Sequence, residues 1–208
     1  MVWFKRLLGV CVALLVGCVG CGHNYVLNQP IYAHNQVIYR TFHADTNFTA
    51  DERAALLQAT QEWRDFTVGK VEISLIFDID DNNRNSYLGI DKQLLLRSNS
   101  RVAAIIAADE DIRRRDPDSY ALGLFSPDGG SYGYPTIFIV MDRIDDMKTL
   151  RLTAEHEMGH SFSLGHLRLD EVGIMFHSVG ISDCFTHADA RVFCSIYGCH
   201  PEDLKTCF

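Results

Sequence analysis

HEMGHSFSLGH, residues 156–166, places three histidines and one glutamate within eleven positions. On a helix, side chains four residues apart lie one above the other, so His156 and His160 would bring their ring nitrogens within reach of one metal ion. Glu157 would lie one position round the helix, close enough to contact a metal-bound water without taking a coordination position. The spacing therefore predicts a catalytic zinc site, in preference to a helix that carries polar residues by chance.

The chain around this stretch is typical of a protein that mixes strands and helices. Alternating or apolar runs predict strands at 38–42, 71–77 and 136–141. Capping boxes at Thr49 and Thr186 predict helices over 49–66 and 186–197, and a third helix, which carries the histidines, is expected to begin near Asp146. The inner faces of the last two helices are predicted from helical spacing: Leu150, Ala154, Met158 and Phe162, then Ala190, Phe193 and Tyr197.

The stretch HEMGHSFSLGH resembles the metzincin signature HExxHxxGxxH, and its flanking residues are closest to the matrixin branch of that family. The run GIMF at 173–176 places Met175 nine residues after His166, where the family has its methionine turn. The run from Thr186 to Gly198 is similar to the closing helix of matrixins. The resemblance covers about residues 37–199 and implies an α+β, zincin-like fold with a twisted mixed sheet and three main helices.

The resemblance also implies a function, that of a zinc endopeptidase. His156, His160 and His166 would hold Zn²⁺, and Glu157 would be the general base that takes a proton from the zinc-bound water. Met175 would support the metal from below as an apolar residue and not as a ligand. The substrate would be a protein or peptide in extended conformation, which we expect to pair with the strand around 136–140.

Two residues depart from the family pattern. Ser163 stands where the signature has the glycine that turns the chain out of the helix, so either Ser163 adopts a positive φ or the helix continues and Gly165 makes the turn. A straight continuation is disfavoured, because six residues would rotate His166 roughly 240° away from His160. His177, two residues after Met175, could serve as an auxiliary metal ligand or oxyanion donor, or simply as a hydrogen-bonded turn histidine.

Other assignments of the metal site remain open at this point. Asp170 or Glu171 could replace His166 as third ligand, although neither has the family spacing. The chain could be a non-catalytic zinc-binding envelope lipoprotein, but a structural zinc site needs no general base. It could also be a zinc hydrolase of a non-protein amide such as peptidoglycan.

The first 36 residues predict export to the cell envelope. Residues 1–17 have a cationic start and a short apolar run, which is the layout of a signal peptide and is too short to span a bilayer. Leu15 to Cys18 resembles a bacterial lipobox, which implies that Cys18 is lipid-modified; Cys21 is the weaker alternative. Residues 18–36 would be a tether and 37–208 the catalytic domain. The protein would then be attached to a membrane only through its lipid, and Val19 favours the outer membrane, facing the periplasm or the cell surface.

The charge of the chain argues against nucleic acid as a partner. The formal net charge is −8 at pH 7, and no basic stripe offsets it. We expect a monomer. The stretch FDIDDNNRN at 77–85 places Asp78, Asp80 and Asn82 at alternating positions, but it departs from the calcium loop of EF-hands, and a solvated turn is favoured.

The last four cysteines indicate disulfides in an oxidising compartment. They contain no Cys-x-x-Cys pair, which disfavours a second zinc site. Cys194 lies within the predicted last helix and Cys199 just beyond its end, while Cys184 precedes the helix and is too far from either for a bridge. The pairing Cys194–Cys199 with Cys184–Cys207 therefore remains.

Overall fold

The computed structural model describes residues 36–80, 92–98, 122–126 and 135–207. The predictions for the signal peptide, for Cys18 and for nearly all of the tether lie outside these residues. So do most of the calcium-like stretch and the possible ligand Asn82 within it. Among the helices of the described ranges, none has the length and apolarity needed to cross a bilayer.

One mixed sheet forms the larger layer of the fold. Its strands are β1 (Ile38–Asp45), β2 (Val71–Ile79), β3 (Lys92–Ser98), β4 (Gly123–Ser126) and β5 (Thr136–Val140). Their order across the sheet is β2-β1-β3-β5-β4. The pairs β1–β2, β1–β3 and β3–β5 are parallel, whereas β4 is antiparallel to β5. The sheet is therefore mixed, as expected, with β2 and β4 at the two edges of its described part.

Three helices accompany the sheet: α1 (Ala50–Phe66), α2 (Met147–Ser161) and α3 (His187–Tyr197). Each begins where a polar side chain caps it; the sequence predicted the caps at Thr49 and Thr186 and a helix start near Asp146. Thr49 and Thr186 form capping boxes with Glu52 and Asp189, and the carboxylate of Asp146 accepts from the N–H of Thr149 at 2.6 Å. These caps satisfy backbone donors that have no partner within the helix. The described residues thus form an α+β structure with three α-helices.

Trp63 of α1 joins the helices into one hydrophobic core. Its ring is fully buried and lies 5.0 Å from the ring of Phe162 and 4.6 Å from that of Phe185, between ring centroids. Its indole N–H donates to the carbonyl of Glu155 at 3.0 Å. The predicted inner faces of α2 and α3 are buried in the same core. Because this indole bonds directly to the backbone of α2, the core fixes the helix that carries the histidines.

The position of β5 corrects one expectation. We expected the strand around 136–140 to pair with substrate, but β5 has β3 on one side and β4 on the other. All five of its residues are buried, which is usual for a central strand with an unbroken apolar run. The edge strand on this side is β4, which the sequence analysis did not predict; nor did it predict β3. Among the described strands, the edge on this side therefore belongs to Gly123–Ser126.

Two disulfides tie down the C-terminal segment. They join Cys184 to Cys207 and Cys194 to Cys199, the pairing that the helix geometry favoured. The tail also bonds through its backbone, since the N–H of Cys207 donates to the carbonyl of Phe185 at 3.0 Å. The N–H of Lys205 donates to the carbonyl of Phe66 at 2.9 Å. The tail thus bridges the end of α1 and the loop before α3.

Candidate metal centre

Helix α2 presents His156 and His160 on one side, one turn apart. Their Nε2 atoms lie 3.0 Å from each other. Both side chains are largely buried. The opposite face of α2, with Leu150, Ala154 and Met158, lies in the hydrophobic core. The helix therefore delivers two imidazoles to one point, as the spacing of the motif predicted.

The chain leaves α2 through a left-handed turn at Ser163, whose φ is 65°. The N–H of Leu164 donates to the carbonyl of Gly159 at 3.1 Å, and that of Ser163 donates to His160 at 2.9 Å. This pair of bonds is the Schellman motif, which usually has glycine in the left-handed position. Of the two alternatives for the turn, the structure has the one at Ser163, and Gly165 has no positive φ.

This turn brings His166 back to the first two histidines. The Nε2 of His166 lies 3.2 Å from the Nε2 of His156. One ring nitrogen from each of the three histidines lies within 4.8 Å of the others, so the trio is close enough to hold a metal ion. Asp170 and Glu171 are engaged elsewhere: Asp170 contacts Arg168 at 3.2 Å, and Glu171 forms an ion pair with Arg191. The structure thus groups His166 with the other two histidines, and neither carboxylate joins them.

Backbone carbonyls orient the two helical histidines. The Nδ1 of His156 lies 2.8 Å from the carbonyl of Ile174, and the Nδ1 of His160 lies 2.8 Å from that of Leu164. A carbonyl only accepts, so each Nδ1 carries the proton and each Nε2 presents a lone pair to the centre of the trio. Lone pairs this close repel one another unless a cation lies between them. Two nitrogens on one tetrahedral zinc would be about 3.3 Å apart, close to the separations found here. The donor set therefore fits a divalent metal such as zinc.

The electrostatics of the trio favour neutral imidazoles. Burial, followed by the neighbouring His160, lowers the pKa of His156 to about 3. Burial also lowers the pKa of His160 to about 4, and it lowers the pKa of the less buried His166. Metal ligation requires the unprotonated ring. At neutral pH the three rings are thus ready to bind a cation without first losing a proton.

The side chain of Glu157 lies on the side of α2 that faces β4. Its side chain is buried, with 5% of its surface exposed, and within the described part of the chain its Oε2 has no hydrogen-bond partner. Burial raises the pKa of this carboxyl to about 8, and a hydrogen bond from the backbone N–H of Phe125 opposes that rise. A buried acid with one unsatisfied oxygen is typical of a group that exchanges a proton with a ligand.

Met175 lies beneath α2 and is fully buried. A Cβ added at Gly159 would lie 2.2 Å from its sulfur, so the helix approaches the methionine at the one residue that has no side chain. Met175 thus packs against α2 at Gly159, and its role as an apolar floor under the histidines stays a prediction.

Asp189 fixes the segment that contains Met175. It was recognised in the sequence only as the capping acid of α3, yet its carboxylate also accepts from the N–H groups of Ile174 at 3.0 Å and Met175 at 2.9 Å. A Cβ at Gly173 would lie 2.4 Å from this carboxylate. Because the carbonyl of Ile174 orients His156, Asp189 acts on the metal centre through the backbone. No pattern of spacing indicates this contact in advance.

His177 lies outside the trio. It is exposed, and its ring packs on the ring of Phe176 with 4.1 Å between centroids. It is near enough to contribute to the lowered pKa of His156 and His166, after burial in each case. His177 is thus an exposed residue near the trio and not a member of it.

Comparisons with known proteins do not extend this description. No protein family model matches the chain, and a search of curated proteins returned no match. The likeness to metzincins therefore depends on the residues described above.

Proposed function

We propose that this chain is a zinc-dependent endopeptidase with a metzincin-like, matrixin-like catalytic domain. The observation that carries the proposal is the convergence of three neutral imidazoles on one point, with the buried carboxyl of Glu157 in the next position of the same helix. The strand order and the three helices are compatible with that fold. Three protein ligands leave a coordination position for water or substrate, as in catalytic zinc sites.

The three histidines and Glu157 would have different roles in catalysis. When bound by His156, His160 and His166, zinc would polarise the scissile carbonyl, lower the pKa of a water molecule and favour the ionised form of Glu157. Glu157 then accepts a proton from the attacking water and returns it to the leaving nitrogen of the cleaved peptide bond. The single bond from Phe125 leaves Oε2 to take part in this transfer.

An extended peptide would pair with the edge of β4. The N–H of Val140 donates to the carbonyl of Leu122 at 2.8 Å, and in an antiparallel ladder successive residues point alternately toward and away from the partner. The backbone groups of Gly123 and Phe125 therefore point away from β5. The N–H of Phe125 bonds Glu157, so the peptide would pair with Gly123 and with the carbonyl of Phe125. Main-chain pairing at this edge would give affinity for many sequences, since strand addition requires no particular side chain.

The site of action would be the cell envelope. We propose that the chain is exported, attached to the membrane through lipid on Cys18, and active as a monomer on protein substrates. An oxidising compartment agrees with the two disulfides of the C-terminal segment.

Comparing the wild-type chain with Glu157→Ala tests this function. Both proteins are purified, loaded with zinc and incubated separately with casein and with peptidoglycan, and their zinc content is measured. We expect wild type to cleave casein, whereas Glu157→Ala binds zinc equally but loses nearly all turnover because it lacks the base.

Other outcomes would favour the alternatives. Release of peptidoglycan fragments without casein cleavage would indicate an amide hydrolase of the wall. Zinc binding without turnover on either substrate would indicate a non-catalytic zinc protein, and a wild-type chain that binds no transition metal would remove all three hypotheses.

A further inference from the structure

Strand β4 crosses the side chain of Glu157 at Gly123. A Cβ added at Gly123 would lie 2.7 Å from Cγ of Glu157, 2.9 Å from its Oε1 and 2.8 Å from Cγ2 of Thr153. Side-chain carbons do not normally approach other atoms this closely, so any residue larger than glycine would force one of these groups to move. Glu157 and Thr153 therefore leave no room for a Cβ at position 123 in their present conformations.

The requirement at Gly123 is for space and not for an unusual backbone. Its φ does not lie in the left-handed region, and alanine is compatible with a strand. A glycine within a strand otherwise weakens it, because it orders more backbone and packs no side chain. The close contact with α2 favours glycine at this position.

The groups around Gly123 differ in how easily they can move. Leu122 holds β4 against β5 through its carbonyl, and Phe125 holds the Glu157 carboxylate through its N–H. Helix α2 is buried from Leu150 to Ser161, so its backbone cannot retreat without disrupting the core. Thr153 is β-branched and stiff, whereas Glu157 has three rotatable bonds. A side chain at position 123 would therefore displace Glu157 first.

We propose that Gly123 is a positioning residue of the peptidase: its missing side chain lets β4 lie against Glu157 and hold the carboxylate in the place from which it acts. This inference rests on the proposed function and adds a residue that no motif in the sequence marks. The proposal also links substrate binding to the position of the general base, because the strand that would bind the peptide is the one that locates the carboxylate of Glu157.

The test compares Gly123→Ala with Gly165→Ala in the zinc-loaded full-length chain. A Cβ at Gly165 would meet no atom within 4 Å, although this glycine precedes His166, so it is a matched control. We expect Gly123→Ala to lower kcat by about 10-fold or more, since small misplacements of a catalytic group are costly. KM and zinc content should stay at the wild-type values. Wild-type kcat in Gly123→Ala would overturn the inference.

Two further variants separate positioning from packing. Adding Thr153→Ser to Gly123→Ala removes the Cγ2 atom that the new Cβ would meet. The double variant should therefore regain folding stability but not turnover. If Gly123→Ala alone does not fold, the double variant replaces it in the test. Recovered turnover in this double variant would mean that Gly123 merely accommodates Thr153, against the proposal. In a Glu157→Gln background, Gly123→Ala should reduce the residual rate no further, because both changes act through the same group.

Crystal structures distinguish a failure of this inference from a failure of the proposed function. A wild-type chain without peptidase activity would count against the function alone. Even then, the carboxylate of Glu157 should lose its hydrogen bond from the N–H of Phe125 in Gly123→Ala and keep that bond in Gly165→Ala. A carboxylate that stays in place in both variants would contradict it.

Discussion

Ser163 adopts a strained backbone conformation at the turn that leads to His166. Its left-handed φ places Leu164 so that the carbonyl of Leu164 accepts from His160 and the chain returns toward His166. A residue other than glycine in this region loses stability because its Cβ approaches the backbone. The buried side chain of Leu164 and the two turn bonds offset that cost.

We therefore expect Ser163→Gly to stabilise the folded chain by about 1 kcal/mol. The matched control is Ser195→Gly in α3, where the same change should destabilise by about 0.5 kcal/mol because glycine is a poor helix former. Urea denaturation of the three proteins at one zinc concentration measures both effects. Equal destabilisation by the two substitutions would show that Ser163 is not strained.

His177 has a testable role at the rim of the metal centre. If its ring donates to the oxyanion that forms during peptide cleavage, His177→Ala should lower kcat by on the order of 10²-fold and leave KM and zinc content unchanged. The exposed His187, at the start of α3, provides the control substitution His187→Ala. Unchanged turnover in His177→Ala would leave this histidine as a surface residue that packs on Phe176.

At the scale of elements, a buried charge cluster joins α1 to α2. The guanidinium of Arg151 donates to Glu155 at 2.9 Å and also forms an ion pair with Glu62 of α1. Its other nitrogen contacts the carbonyl of Asp183, in the loop before α3. Glu155 is fully buried, and its Oε2 has no partner among the described residues. Burial, followed by the nearby Glu62, raises the pKa of Glu155 to about 9.

This shift predicts how stability depends on pH. A carboxyl whose pKa is raised on folding stabilises the fold fully below its unfolded pKa of 4.5 and loses that contribution as the pH rises through about 9. Relative to Glu155→Gln, wild type should therefore lose unfolding free energy steadily as the pH rises from 5 to 9. Urea denaturation at pH 5.5, 7 and 8.5 measures the difference. If the unfolding free energies of the two proteins depend on pH in the same way, Glu155 is already ionised in the folded chain at neutral pH.

At the scale of the whole molecule, the two disulfides close loops of different length. Cys184 and Cys207 are 23 residues apart and connect the loop before α3 to the tail, whereas Cys194 and Cys199 are 5 apart. The longer bridge removes more freedom from the unfolded chain. It also holds Phe185, which stacks on Phe66 with 4.3 Å between ring centroids, against the core.

We expect the substitution of Cys184 and Cys207 by Ser to cost about 3 kcal/mol of unfolding free energy, and that of Cys194 and Cys199 about 2 kcal/mol. Denaturant titrations of the two double variants, each with zinc bound, compare the losses. The reverse order would show that native contacts of the short bridge, and not loop closure, decide its contribution.

The sequence determined the elements that local physics specifies. Capping side chains at Thr49, Asp146 and Thr186 mark where helices begin, and helical spacing marks which side of α2 is buried. The separation of His156 and His160 fixes two imidazoles on one face, because the helix period does not depend on the rest of the fold. The disulfide pairing followed from the same helical rise.

Only the tertiary structure decided which strand lies at the edge and what surrounds the glutamate. Strand order depends on contacts between distant segments, and neither β4 nor its approach to Glu157 leaves a periodic signal in GLFS. The same holds for Asp189, whose carboxylate reaches Ile174 and Met175 across a loop, and for the turn after the helix, which the sequence favoured but which only the φ of 65° assigns to Ser163. Local patterns specify helices and caps, whereas the surroundings of a buried carboxyl depend on how separate elements pack.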